Sequence, residues 1–400
     1  MSLTRTDVRA LADRPDLREA ADGLALTKAS MLADLGVLRG AAGDPDLARA
    51  AAEDATARRS AAGKLPERLL RGSGAWLLDS DAAQQATPWA VAELRARRLA
   101  ELAPGRAVHD VTCSVGTEIA AVAHVAEAGT PPLLASDLDP ARVAMARRNL
   151  ATAAPGALVA VADALAPVSR DAIIVADPAR RAGGRRIARP EDLVPPLPNL
   201  LDAYAGRDIA VKCAPGLDFS GWEGEVCVAS VAGGVKEACL YSPGLSRPGV
   251  TRSAALLGGA RREPEFVDDS MDDDCGVGGV GAYIIDPDGG VVRAGLVRHW
   301  AARHGLRQLD ERIAHLTGDA VPPGATGFPV LEEVPLKKVR AALAARDCGS
   351  AEILVRGVDA DPDRLRKSWR LRGRRPLAVV VTRIGDRGTA FICGPREPAA

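Results

Sequence analysis

The stretch Val108–Glu118, Val-His-Asp-Val-Thr-Cys-Ser-Val-Gly-Thr-Glu, limits what this chain can fold into more than any other. A short apolar strand runs into a turn of small residues, and an Ala-rich helical stretch, Ile119–Ala128, follows. Ser114 and Gly116 place little or no side chain between the backbone and a ligand approaching it. The next apolar run, Pro132–Ser136, ends in Asp137. Strand, tight turn, helix, strand and terminal acid make a nucleotide-type half fold, in which a carboxylate at the second strand can accept from two ribose hydroxyls. A nicotinamide site usually shows Gly-x-Gly-x-x-Gly here, whereas this turn has Gly116 alone.

Asp110, Cys113 and Gly116 resemble the first motif of class I S-adenosylmethionine-dependent methyltransferases, and Asp137 matches that family's ribose-binding acid. The resemblance implies an α/β chain with a Rossmann-like, seven-stranded methyltransferase domain whose last strand is antiparallel. It implies S-adenosyl-L-methionine as cofactor, held by Asp110, Cys113, Ser114, Gly116, Thr117 and Asp137. Before this motif, Thr87 can cap and Pro88 can start a helix through Leu102. A similar Thr-Pro step walls the cofactor site in trimethylguanosine-cap synthases and related RNA methyltransferases, which adds Thr87 to the cofactor residues. Asp139 caps and Pro140 begins another helix. Val159–Ala162 is a third strand ending at Asp163. In the family an acid there often accepts from the adenine amino group; by itself it is also a plain loop acid.

Ala172–Ala176 is a fourth strand, followed by Asp177-Pro178-Ala179-Arg180. A proline after an acid at a strand end fixes the backbone and holds the carboxylate outward, in the crevice where such sheets bind ligands. The segment resembles the Asp-Pro-Pro-Arg motif of RNA 5-methyluridine methyltransferases and the Asn/Asp-Pro-Pro-aromatic motif of amino methyltransferases. Ala179 replaces the second proline and Arg180 the aromatic ring, so that a base would stack on a guanidinium. The resemblance gives Asp177, Pro178 and Arg180 catalytic roles. A fifth strand, Asp208–Cys213, brings Lys212 and Cys213 to the same rim. In the 5-methyluridine class a cysteine after the fifth strand adds to the pyrimidine ring. Here Cys213 is followed by Ala214 where that class has Asn, and cysteine is also a common small core residue. Covalent catalysis and direct transfer to a base nitrogen both remain open, with direct transfer favoured.

The 400 residues suggest two or three domains. The boundaries read as an N-terminal helical region over 1–82, the methyltransferase domain over 83–258, an acidic linker over 259–275 and a second α/β unit over 276–400. In the first region Arg58, Arg59, Lys64, Arg68 and Arg71 form a basic end, a solvated face or an RNA contact. The acids between Glu263 and Asp274 repel and extend a linker. In the last unit Asp361-Pro362 opens a basic helix with Arg364, Arg366, Lys367 and Arg370, continued by Arg372, Arg374 and Arg375; Leu365 and Trp369 form its buried face. With the Glu352–Gly357 strand, this resembles the THUMP-like domain attached to some bacterial methyltransferases. True THUMP domains bind structured RNA, so the resemblance implies that these seven basic residues contact an RNA such as tRNA or rRNA.

Net charge is zero, so no global field steers the chain toward nucleic acid or an anionic membrane, and any basic surface is local. Seven scattered cysteines without a Cys-x-x-Cys pair argue against a zinc site or a disulfide framework and suit a reducing cytoplasm. No uncharged run reaches the ~18 residues of a membrane span, and no apolar signal core opens the sequence. The expectation is a soluble cytoplasmic RNA methyltransferase without a metal. Methylation of a small molecule or protein, and a non-catalytic RNA-binding module that keeps the fold, are the alternatives.

Overall fold

The N-terminal helices form where caps and alanines dictate. Asp44 accepts from the backbone N–H of Asp46 at 2.7 Å, and Pro45 occupies the first turn of Pro45–Ser60. That helix buries Ala48, Ala51, Ala52 and Ala55 against Arg5–Ala12, Pro15–Asp22 and Met31–Ala42. Its one fully buried acid, Asp54, is paired with Arg18 at 3.0 Å and Arg58 at 3.1 Å, and accepts from the Leu78 N–H. The basic end expected here is therefore largely consumed internally. Arg58 is buried in that cluster, Arg59 donates to the carbonyls of Ala21, Asp22, Leu24 and Ala25, and Lys64 donates to those of Ala83 and Gln84.

The computed structural model describes residues 2–72, 74–126, 129–179, 181–182, 185–186, 189–259 and 263–399. The chain divides into two units: Met1–Glu225 with Glu237–Arg247, and Val226–Lys236 with Pro248–Ala400. The division does not follow the boundaries expected at 82, 258 and 275. In the first unit the N-terminal helices pack with the sheet layers. Asn149, on the helix Pro140–Ala153, accepts from the Leu77 N–H and donates to the carbonyls of Leu77 and Val115. Arg142, one face along, pairs with Asp79 at 2.7 Å.

The sheet strands are β1 (Val108–Asp110), β2 (Leu133–Asp137), β3 (Leu158–Val161), β4 (Ile173–Ala176), β5 (Ile209–Cys213), β6 (Glu225–Val231) and β7 (Gly234–Tyr241). Within the first unit the order is β3-β2-β1-β4-β5-β7. All neighbours are parallel except β7, which runs antiparallel to β5 from Ala210↔Tyr241 to Cys213↔Ala238. β4 and β5 are buried at every residue, as strands covered on both faces must be. The strand order reverses between β1 and β4, which opens a crevice at the carboxyl ends of the strands.

In the second unit β6 lies parallel to β8 (Arg252–Leu257), and β8 is antiparallel to β9 (Glu265–Asp268). The seven-strand expectation leaves out β8 and β9, and part of the expected acidic linker is β9. The like-charge argument fails there because the acids take up donors from the neighbouring strand. Asp269 accepts from the backbone N–H and hydroxyl of Thr251, while Val267 is fully buried in β9, paired with Ala254 of β8.

A second, mixed sheet follows in the order Arg307–Asp310, Ile313–Gly318, Tyr283–Ile285, Thr326–Pro335, Arg387–Cys393, Arg375–Ile384, Cys348–Arg356. Along Arg375–Ile384 the side chains alternate: Leu377, Val379 and Val381 enter one core with Trp369, while Ala378 and Val380 enter another with Phe328 and Phe391. Two short helices, Gly289–Ala294 and Val297–Arg303, follow one another in this unit, because Gly295 at φ 76° ends the first in a left-handed cap. Among the described residues no helix is long and apolar enough to cross a membrane.

Candidate active site

The turn after β1 is built by backbone bonds into its neighbours. Val111 N donates to Val175 O, Cys113 N to Ser136 O, and Gly116 N to Cys113 O at 2.8 Å. Two residues take left-handed backbone, Ser114 at φ 47° and Gly116 at φ 93°. A Cβ at Gly116 would stand 2.9 Å from Leu150 Cγ, so the turn is pressed against the helix behind it. Asp137 faces the same turn. Its Oδ2 accepts from Ser114 N at 2.9 Å and its Oδ1 from Asp139 N at 3.0 Å, which fixes the carboxylate plane and leaves each oxygen capacity for a second donor.

The other expected cofactor residues surround this turn unevenly. Thr117 is buried at the start of the helix Thr117–Ala126. Cys113 is buried, and burial, with Asp110 and Asp137 nearby, pushes its thiol well above the ordinary range. Its part is shape, not nucleophilicity. Asp163 is exposed beyond β3, its Oδ1 accepting from Leu165 N at 2.9 Å. A lip of backbone at 113–116 facing a doubly anchored carboxylate fits the nucleoside part of S-adenosylmethionine. His109 is a satisfied core histidine. Its Nδ1 meets Ser169 Oγ at 2.8 Å and its Nε2 meets Ser136 Oγ at 2.9 Å, and burial holds it at about 4.

Asp110 ends β1 at 3% exposure, with Oδ1 accepting from Thr112 N. Burial first, and Glu118 second, push its carboxyl up to about 8. The folded chain therefore keeps this proton up to about pH 8, while the unfolded chain releases it near 4. Between these values the fold binds more protons, so this group's contribution to stability is lost as pH rises through that window. Asp110→Asn should make the fall in melting temperature between pH 5 and pH 8 shallower than in the wild type. An unchanged slope in a calorimetric pH series would remove Asp110 as its source.

On the other side of the crevice Asp177 follows β4. Its backbone N–H donates to Thr112 Oγ1 at 2.7 Å, and Pro178 behind it is buried. Lys212, on β5, reaches Asp177 Oδ2 at 2.7 Å and Glu118 Oε1 at 3.2 Å, and donates to Thr87 Oγ1. Glu118 is held by a forked pair from Arg95, Nε to Oε2 at 2.9 Å and Nη2 to Oε1 at 3.1 Å, and Arg95 reaches Glu237 at 2.8 Å. Burial lowers Lys212, but Asp177 and Glu118 outweigh it and hold the ammonium above its ordinary range. Burial raises Glu118, yet Arg95 and Lys212 bring it to about 2. The side chains of Arg95, Glu118, Glu237 and Lys212 are buried; Asp177, at 28%, is the member that meets solvent.

The expected cap at Thr87 is not formed. The helix Trp89–Leu102 starts without a side-chain cap, because Thr87 is buried and its hydroxyl is taken by Lys212. Cys213 is fully buried on β5, where alternation turns it away from the face carrying Lys212. Arg180 lies outside the described residues. Arg95, Glu118 and Glu237 had no expected role. Their signal was a charge at an apolar position: Arg95 falls in the stripe Val91, Ala92, Arg95, Ala96, Leu99, and Glu237 opens an apolar strand end.

In the second unit the basic helix Pro362–Trp369 is capped by Asp361 and buries Trp369, with Leu365 packed beside it. Arg364, Arg366, Lys367, Arg370, Arg372, Arg374 and Arg375 are all exposed. Arg366 is paired with Asp363 at 2.6 Å and Arg374 approaches Asp347 at 3.8 Å. Arg370 takes left-handed backbone at φ 50° and turns the chain, so that Arg370 and Arg372 flank a groove of about 400 Å³. Arg340, absent from the sequence expectation, lines the same groove.

The THUMP domain-like family model matches residues 325–395. An uncharacterized S-adenosylmethionine-dependent methyltransferase of Mycobacterium tuberculosis, found in two strains, is 53% identical over 350 residues, which is 84% of this chain and 94% of that protein. A crystal structure of a candidate methyltransferase from Porphyromonas gingivalis shares the fold, with a TM-score of 0.67 at 18% identity over 89% of this chain and 92% of that one.

Proposed function

Given that the chain belongs to the S-adenosylmethionine-dependent methyltransferases, we propose that it methylates a base nitrogen in RNA, and that Asp177 receives the acceptor. The observation that carries this reading is the position of Asp177. It is the partly exposed end of an otherwise buried charge network, at the carboxyl edge of the sheet and across the crevice from Asp137. Bound S-adenosylmethionine supplies an electrophilic methyl group. The chain has to hold an acceptor lone pair in line with it, and orientation alone can supply about 7–11 kcal/mol. Asp137 and the backbone at 113–116 hold the ribose, Thr87 and Asp110 support that wall, and Asp163 meets the adenine edge. Asp177 accepts from the acceptor's N–H, with Pro178 fixing its backbone.

Two features favour nitrogen over a hydroxyl or a ring carbon. The Lys212 ammonium is held charged, so it is no base for stripping a hydroxyl. Cys213 is fully buried, so the thiolate that a ring carbon needs has no access. RNA is favoured by the basic groove of the second unit.

The test is transfer of labelled methyl into an extract of a strain lacking the protein, separated into RNA, protein and small molecules, with labelled nucleosides identified by mass spectrometry. Label at a base nitrogen in RNA supports the reading. Label confined to protein or small molecules replaces it with the rival enzyme class.

Two further results are expected. Asp137→Ala should weaken S-adenosylmethionine binding by roughly ten- to hundredfold, the loss of charge-assisted bonds worth about 1.5–3 kcal/mol. A folded variant with wild-type affinity in calorimetry would remove Asp137 from the cofactor site. Replacing Arg370, Arg372 and Arg374 by Gln should weaken RNA binding and flatten its log–log salt dependence by up to about 0.7–0.9 per lost phosphate contact. An unaltered slope would leave these arginines as a solvated face.

A further inference from the structure

The Lys212 ammonium has three N–H donors, and three acceptors meet it: Asp177, Glu118 and Thr87. With no donor left over and a side chain 4% exposed, Lys212 does not touch an acceptor substrate. Its partners come from three separate places in the chain. Thr87 lies before the helix Trp89–Leu102, Glu118 opens the helix that leaves the cofactor turn, and Asp177 follows β4. Glu118 is itself fixed from behind by the Arg95 fork, and Arg95 by Glu237. Displacing Asp177 would therefore drag a chain of buried ions.

We propose that Lys212 is a positioning residue for methyl transfer, acting through Asp177 by locking that carboxylate in register with the cofactor turn. The proposal rests on the reading of Asp177 as the acceptor-facing acid. A lysine suits the role better than an arginine. Three acceptors converging from different directions match the three rotatable donors of a compact ammonium and do not match a planar fork.

The experiment uses Lys212→Met and Lys212→Gln, each alone and combined with Asp177→Asn, assayed on whichever extract fraction the wild-type protein labels. Each lysine variant is expected to lose about a hundredfold in kcat, the effect of misplacing a reacting group by about 1 Å, with acceptor KM and S-adenosylmethionine affinity changed far less. In the Asp177→Asn background the same substitutions should cost no more than about twofold further, because residues acting through one group are not additive. A readout that needs no substrate is the carboxyl 13C signal of Asp177, which should titrate at higher pH in Lys212→Gln than in the wild type.

Fully additive losses, wild-type turnover in both lysine variants, or an unmoved Asp177 titration would overturn the proposal. So would failure of both variants to bind cofactor and melt cooperatively, which would make Lys212 a residue of the fold alone. Wild-type turnover in Asp177→Asn by itself is a different result: it removes the acceptor role of Asp177, and the proposal with it.

Discussion

Asp177→Ala is expected to bind S-adenosylmethionine as the wild type does and to lose about a hundredfold or more in turnover. The separation follows from where the carboxylate stands. Its partners include Lys212 and the Thr112 hydroxyl, which holds its backbone, whereas the cofactor turn is held by Asp137. Removing the side chain leaves Lys212 with Glu118 and Thr87, so the buried ammonium keeps a counter-ion and the fold should persist. Calorimetry of cofactor binding beside steady-state turnover decides it. Parallel loss of both would show that Asp177 supports the cofactor side or the structure.

Arg95→Met should have the larger effect on stability. Its guanidinium holds Glu118 by a fork and Glu237 by one further bond, all three side chains being 7% exposed or less. The variant removes the guanidinium from two buried carboxylates, and Glu118 keeps Lys212 while Glu237 loses its ion pair. Breaking a buried ion pair from one side costs about 3–5 kcal/mol. At about 2–4 °C per kcal/mol for a unit of this size, the melting temperature should fall by roughly 6–20 °C. Arg95→Lys should rescue little, since one ammonium cannot reproduce the fork. A fall under about 3 °C in either variant would show that the network rearranges at small cost.

What the sequence made legible is what local rules encode. The turn at 113–116, the acid ending β2 and the helix openings at Asp139 and Asp361 depend on neighbours within a few residues. The charge network was not legible because its bonds span the chain: Arg95 and Glu237 are 142 residues apart, and Lys212 and Thr87 are 125. Thr87 shows how such a contact overrides a local preference, the capping hydroxyl being claimed by a distant ammonium. Asp268 and Asp269 were missed for a related reason. Their charges were read as repelling one another, but backbone donors absorb them, Ser270 N–H at Asp268 and Thr251 N–H, from the neighbouring strand, at Asp269.

The bond between Asn149 and the Leu77 backbone has a consequence for how the chain is made. Asp54 finds Arg18 upstream and Arg58 four residues on, so the first helices can satisfy their buried charge as soon as they leave the ribosome. The Leu77 amide and carbonyl cannot, since their partner is synthesised 72 residues later. At about 5–20 residues per second that interval is roughly 4–14 s. During it the Leu77 backbone lacks the partner it has in the finished protein, where Trp76–Leu78 is completely buried. Slow codons placed between residues 80 and 150 would lengthen that interval, and the same amino-acid sequence would then yield less soluble protein.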